Sequence, residues 1–197
     1  MIPVSCSIDR TTLESVFTPD RLVTLPADAL TAVTHQPTKR FLRDVGIPTQ
    51  FWLDAEPGLS TGQLDCDNQD LAELYPEYRA DYSNWALLGS ISNDPIYLDV
   101  TNGTVFSIPD GGTPAPLNTT IDAFCYFLYV LELERPNYDF EILGPDDTYQ
   151  PGAETRLREL MIRCDPTGFE PPDPCTEFEP GVPTWELALQ FVADKLQ

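Results

Sequence analysis

Apolar and polar positions follow helical spacing, then alternate, then return to helical spacing along the chain. Helical signals begin at Pro26-Ala27-Asp28-Ala29-Leu30, where proline suits a first turn. They strengthen over 38–45, where Phe41, Leu42 and Val45 form one apolar face and Gly46 followed by Pro48 supplies the stop. The segment before Leu25 is mixed and poorly periodic. Gln50-Phe51-Trp52-Leu53 has the length and composition of a short strand.

The strongest strand signals lie in the middle. Trp85–Ile91 is a mostly apolar run, and the runs 95–101 and 104–108 flank Asn102-Gly103. Asn-Gly between such runs predicts a two-residue type I′ hairpin, because both residues tolerate positive φ. That turn would pair Thr101 with Thr104 and Val100 with Val105. Pro109-Asp110-Gly111-Gly112 ends the meander. A long helix follows, with Ile121, Phe124, Cys125, Leu128 and Leu131 on one face, Thr119 as its cap, Asp122 three residues on, and Pro136 closing it. Two more helices are predicted over 150–164, carrying Leu157, Leu160, Met161 and Cys164, and over 184–196, carrying Trp185, Leu189, Val192 and Leu196. Helices, then a meander, then helices predict an α+β fold with a central, mostly antiparallel or mixed sheet flanked by helices. At 197 residues the chain fits one domain over 1–197, its core roughly 25–135.

Charge narrows the choice of partner. Asp and Glu number 32 against 11 Lys and Arg, a net charge of −21, and no basic cluster occurs. Such a surface repels phosphates, so nucleic acid and anionic membranes are excluded as direct partners. A basic protein is the electrostatic complement. Eight Tyr, ten Phe and three Trp argue against global disorder. No apolar run is long enough to span a bilayer, and the first residues lack the pattern of a signal peptide, so the expected location is the cytoplasm.

The residues offer little catalytic chemistry. Cys6, Cys66, Cys125, Cys164 and Cys175 make an odd count without C-x-x-C spacing, which argues against a disulfide framework and a zinc site. Cys125 and Cys164 fall on apolar stripes and read as core thiols. The single histidine, His35, lies near a helix end and reads as a capping or surface residue. No nucleophile elbow, zinc-protease motif, P-loop or dinucleotide-binding glycine pattern occurs, and no cofactor is expected. Asp65 with Asp67, or Asp146 with Asp147, could hold a hard cation, but the first pair lacks the glycine and glutamate of an EF-hand loop. Asn118-Thr119-Thr120 and Asn102-Gly103-Thr104 serve as a cap and a turn. Arg79, Trp52 and Trp85 are candidate interface anchors, with Trp85 better suited to the core.

Four strings in order carry a resemblance: Thr38–Pro48, containing Phe41-Leu42 and Val45-Gly46-Ile47-Pro48; Leu87-Leu88-Gly89; Asp94–Val105, containing Leu98-Asp99 and Asn102-Gly103; and Leu117–Phe124. Over roughly 25–135 the chain resembles the SUKH superfamily of immunity proteins, especially its fourth family. The resemblance implies an α+β domain without catalytic residues that binds and neutralises a polymorphic toxin, often a nuclease or nucleic-acid deaminase. The acidic stretch 165–183 and the N-terminal segment fit the pattern less well.

Charge and resemblance converge on acidic-surface complementarity to a basic toxin domain. The candidate contact residues fall in two acidic segments, Asp65, Asp67, Asp70, Glu73, Glu77 and Asp81 in the first and Asp165, Glu170, Asp173, Glu177 and Glu179 in the second. Two other readings are a scaffold or regulatory module of the same fold and a carboxylate-dependent hydrolase.

Overall fold

The computed structural model describes residues 6–66, 68, 70–76, 78, 81–139, 142, 151–170 and 181–195. The elements run α1 (Arg10–Glu14), β1 (Leu22–Val23), α2 (Gln36–Asp44), β2 (Ile47–Pro48), β3 (Asp54–Ala55), α3 (Pro57–Ser60), α4 (Asp70–Leu74), β4 (Trp85–Ile91), β5 (Asp94–Asp99), β6 (Val105–Ser107), β7 (Ala115–Asn118), α5 (Ile121–Glu134), α6 (Ala153–Cys164) and α7 (Thr184–Lys195). β1 and β2 form a two-stranded ribbon, and β3 to β7 form an antiparallel five-stranded sheet in chain order. The fold is α+β, as the patterning predicts.

Strand alternation gives the sheet two unlike faces. Ala86, Leu88, Ile96, Leu98 and Val105 join the main core with Phe41 and Leu42 of α2, Leu157 of α6 and Trp185 of α7. α5 lies within this core and buries Ala123, Phe127 and Val130 as well as the five stripe residues. It is therefore enclosed nearly all round rather than on one face. The opposite face presents Trp85, Tyr97, Phe106 and Ile108, and the segment around α4 covers it with Leu71, Tyr75, Tyr78 and Tyr82. Trp85 stacks on Phe106 with ring centroids 4.2 Å apart.

Several local expectations are corrected. The chain turns at 27–30 without forming a helix, since one isolated turn does not propagate. Residues 50–53 are not a strand: Phe51 has a φ of +49°, and β3 begins three residues after it. There the Phe51 ring lies 3.6 Å beneath the Arg135 guanidinium, while Trp52 packs on Tyr138 and Phe191.

The 98–105 hairpin pairs Leu98 with Val105, two residues from the expected register. The Asp99 carboxylate accepts from the Thr101 N–H, the Thr101 hydroxyl and the Asn102 amide, which closes a longer loop. A shift of two leaves every side chain on its expected face. The tight two-residue turn lies instead at Ser92-Asn93, both at positive φ, between the paired Ile91 and Asp94. The α5 cap is Thr120, whose hydroxyl accepts from the Ala123 N–H; Thr119 is engaged elsewhere. His35 precedes α2 rather than ending a helix, and its Nδ1 lies 2.8 Å from the Thr38 hydroxyl.

One buried network joins the sheet to the C-terminal helices. Asp165, 3% exposed, accepts from the Thr119 N–H at 2.7 Å, and also from the Thr119 hydroxyl, the Asn118 amide and the Thr167 N–H. Asn118 in turn accepts from the Trp185 indole N–H at 3.1 Å. Gly168 fits only because it has no side chain, since a Cβ there would stand 2.4 Å from the Leu117 carbonyl oxygen and 2.5 Å from the Trp185 ring. Cys6 and Cys164 are joined in a disulfide, so Cys164 is not the free core thiol expected, and the N-terminal segment is fastened to α6. Cys125 is free and buried. The cysteines' sequence spacing carried no sign of a pair separated by 158 positions.

Two outcomes follow. Asp165→Ala strands several buried donors and is expected to lower stability by about 2–4 kcal/mol, whereas exposed Glu170→Ala stays within about 0.5 kcal/mol, as read by urea unfolding. Cys6→Ser under oxidising conditions is expected to cost up to about 5 kcal/mol, the chain-entropy figure for so long a loop. A reductant is expected to bring the wild type to the variant's level, and unchanged curves would show that the bridge does not carry that load.

Candidate partner-binding face

Charge is segregated between the two halves of the fold. From 45 to 118, through the end of β7, the chain has eleven acidic residues and one basic residue, Arg79, which lies outside the described residues. Among the described residues, the ion-paired cations stand beside carboxylates in the helical part and its flanking turns. Arg10 pairs with Glu14, Arg43 with Asp44, Arg135 with Glu132 and Asp139, Arg156 with Glu134, and Arg158 with Glu154 and Glu186. No ion pair among the described residues reaches Asp70, Glu73, Asp94 or Asp110.

The candidate contact residues occupy unequal environments. Asp65, Asp70 and Glu73 are exposed, the last two on α4. Asp81 is also exposed, but its carboxylate caps the turn that follows, accepting from the Ser83 hydroxyl at 2.5 Å and the Asn84 amide at 2.7 Å. Glu170 is exposed. Asp165 is the correction: it is buried in the network beneath β7 and presents no charge to a partner. Asp67, Glu77, Asp173, Glu177 and Glu179, like Arg79 and the Asp146-Asp147 pair, fall outside the described residues. Trp52 and Trp85 are buried and therefore pack rather than anchor an interface.

The acidic segment is laid down by aromatic packing and two polar anchors. Asn68 donates to the Trp85 carbonyl at 2.6 Å, and the Tyr82 hydroxyl lies 3.3 Å from the carbonyl oxygens of Tyr75 and Tyr78. Burial, reinforced by the neighbouring tyrosines, pushes the Tyr82 phenol up to about 12. Burial likewise raises Tyr78 and Tyr97, so these hydroxyls stay neutral and the segment's charge comes from its carboxylates.

Tyr75, between Glu73 and Asp81, and Val182, ahead of α7, line one cleft of about 650 Å³. Its wall also includes the Ser92-Asn93 turn and the Pro109-Asp110-Gly111 turn. Gly181 packs against Pro109, which brings the chain back to the cleft after the second segment. Asp94 lies at the floor, 1% exposed; one oxygen accepts from the Asp110 N–H and the other from the Thr184 hydroxyl. Burial raises its carboxyl above the ordinary aspartate range, partly offset by those two bonds. Asp94 and Asp110 escaped the sequence reading because they stand in a turn and a strand start that patterning treats as punctuation.

Among the described residues, no three His, Cys, Asp or Glu side chains are placed together to hold a metal ion. No helix among them is long and apolar enough to cross a membrane. The fold is that of a small α+β protein, with exposed carboxylates on and beside α4 and at Asp110. The SUKH-4 immunity protein profile matches residues 8–175, and the chain belongs to that family. The match is wider than the 25–135 span of the resemblance and takes in the N-terminal segment and the Asp165 network. No curated protein and no solved structure gives a significant match.

The raised Asp94 carboxyl generates a pH prediction. Asp94→Asn keeps an acceptor for the Asp110 N–H and a donor for Thr184. At neutral pH the wild type bears the cost of a buried charge. As pH falls through the raised value, the folded state takes up its proton before the unfolded chain does, so wild-type stability rises relative to the variant. Thermal unfolding of both proteins from neutral pH to about pH 3 is expected to show this relative gain, levelling off below the ordinary aspartate value. Parallel curves would refute the buried-charge assignment.

Proposed function

We propose that this SUKH-4 protein neutralises a cognate toxin domain of basic character by docking its acidic sheet side over the toxin's cationic surface, without catalysis. The observation that carries the reading is the charge distribution: eleven acids against one base along 45–118, the stretch that holds the five-stranded sheet, while among the described residues the ion-paired cations stand in the helical part and its flanking turns. Toxins that act on nucleic acid, nucleases and deaminases among them, must hold phosphates with Lys and Arg. A negative face of this kind attracts such a surface over several ångströms, accelerates encounter and covers the groove the substrate needs. The exposed carboxylates Asp70 and Glu73 are rim contacts on this reading, governing approach more than residence.

The test begins with capture of the tagged protein's partners at low and moderate salt, followed by a growth assay of each captured polypeptide with and without this chain. The expected partner is basic, inhibits growth alone and is relieved by the chain. Against that partner, the Asp70→Lys/Glu73→Lys double variant is expected to associate about tenfold more slowly at low salt, with the difference closing as salt rises. Capture of only neutral or acidic partners, or an association rate indifferent to salt, would overturn the proposal.

A further inference from the structure

We infer that the cleft between the Ser92-Asn93 and Pro109-Gly111 turns takes up one apolar side chain of the partner, of leucine size or larger, presented on a segment whose flanking positions are basic. This inference rests on the proposed immunity function and names what the partner brings to that interface.

Three observations meet at this place. The first is where the exposed apolar side chains stand. Among the described residues the two most exposed large hydrophobic side chains are Leu74, 67% exposed, and Val182, 52% exposed. Val182 lines the cleft, and Leu74 immediately precedes Tyr75, which lines it too. Exposed aliphatic residues scattered singly need no explanation, but two gathered at one concavity mark a surface that a partner covers.

The second is the lining. Tyr75, Pro95, Ile108, Pro109, Val182 and Leu187 give the wall its apolar character. The carboxylate at the floor is closed to a ligand. Asp94 is 1% exposed, and its two oxygens already accept from the Asp110 N–H at 3.1 Å and the Thr184 hydroxyl at 2.8 Å. A charged group pushed into this hollow would give up water without gaining a partner, whereas an apolar side chain takes apolar wall out of water as it enters. A volume of about 650 Å³ exceeds that of one side chain and admits part of the backbone that carries it. The wall is also firmly built. The Asp94 bonds tie the start of β5 to the 109–111 turn and to the start of α7, and Ile108 belongs to the cluster that holds the Trp85–Phe106 stack. A partner side chain meets a largely preformed hollow.

The third is the charge at the rim. Asp110 is exposed at the mouth, and Asp70 and Glu73 are exposed on α4, the latter next to Leu74 in sequence. No cation among the described residues lines the cleft. Approach to this rim is favourable for a basic segment and unfavourable for an acidic one. A second copy of this chain carries a net charge of −21 and is therefore the poorer occupant.

The test titrates three capped pentapeptides into the isotopically labelled full chain at low salt and follows the amide resonances. One has leucine between two pairs of lysines, one has serine between the same lysines, and one has leucine between two pairs of glutamates. The leucine–lysine peptide is expected to give saturable shifts centred on Ser92, Asn93, Ile108, Gly111 and Val182. The serine peptide is expected to bind about fivefold or more weakly, and the glutamate peptide not at all. Leu74→Ser/Val182→Ser is expected to weaken the leucine–lysine peptide by a similar factor. Leu133→Ser, at an exposed position of α5 outside the cleft, is expected to change it less than about twofold. All three positions are exposed, and a wild-type resonance pattern away from the substitutions verifies the fold of each variant. Equal binding of the leucine and serine peptides, or shifts spread over exposed carboxylates away from the cleft, would overturn the inference. So would a self-association that Leu74→Ser/Val182→Ser abolishes. The two readings fail separately. A cleft that prefers the leucine–lysine peptide in a protein capturing no toxin would remove the immunity proposal alone. A toxin bound with equal affinity by Leu74→Ser/Val182→Ser and wild type would remove the apolar seat alone.

Discussion

The carboxylate of Asp165 is the point on which the halves of this fold depend. It follows α6 directly, yet its bonds go to Asn118 and Thr119, at the junction between the last strand and the central helix. Through Asn118 the same cluster reaches the indole of Trp185, and α7 is thereby oriented against α5. A buried anion is costly unless its lone pairs are satisfied, and satisfying them requires β7, the turn after α6 and Thr119 to be in place together. The network therefore couples the sheet to the helices cooperatively. Gly168 is the steric counterpart of this electrostatic demand, because the backbone must approach Leu117 and Trp185 too closely for any side chain.

That coupling lets the two faces of the sheet serve different ends. One face is committed to the main core, where Ala86, Leu88, Leu98 and Val105 are buried together with the apolar residues of α5. The other is covered by a short acidic segment that grips it through Leu71 and a set of tyrosines. Aromatic side chains bury large areas with few rotatable bonds, so the segment can carry an unbalanced charge and still stay down. The mutual repulsion that this charge creates is countered by contacts made on a rigid sheet. The cleft sits where this covering segment and the return to α7 come together, a place defined by tertiary structure alone.

Much of the architecture was legible because it depended on local chemistry. The stop of α2 at Gly46, the runs of β4 to β6 and the helices over Trp185 and Leu157 follow from periodicity and punctuation. The hairpin register was missed because the Asp99 side chain competes for the turn backbone, and Asn-Gly patterning does not weigh that competition. The cap of α5 moved from Thr119 to Thr120 for a related reason: Thr119 is held by a residue 46 positions away. For the same reason composition placed Asp165 among surface acids. A carboxylate in a proline-rich acidic stretch reads as solvated, and only its distant donors show otherwise. The Cys6–Cys164 pairing and the cleft floor at Asp94 likewise join positions far apart in sequence, for which one chain read alone carries no signal.

The Cys6–Cys164 link has a mechanical consequence. It closes residues 6–164 into one covalent ring, beyond which the chain continues from Asp165 as a single strand that includes α7. A molecular motor that unravels proteins by pulling on the C-terminus would strip that tail, α7 included, and then meet a junction at which two strands must be drawn through its pore together. While the bridge is closed, force applied at the tail cannot peel the rest of the domain apart one strand at a time, and the protein's survival against such a machine depends on whether the bond is first cut.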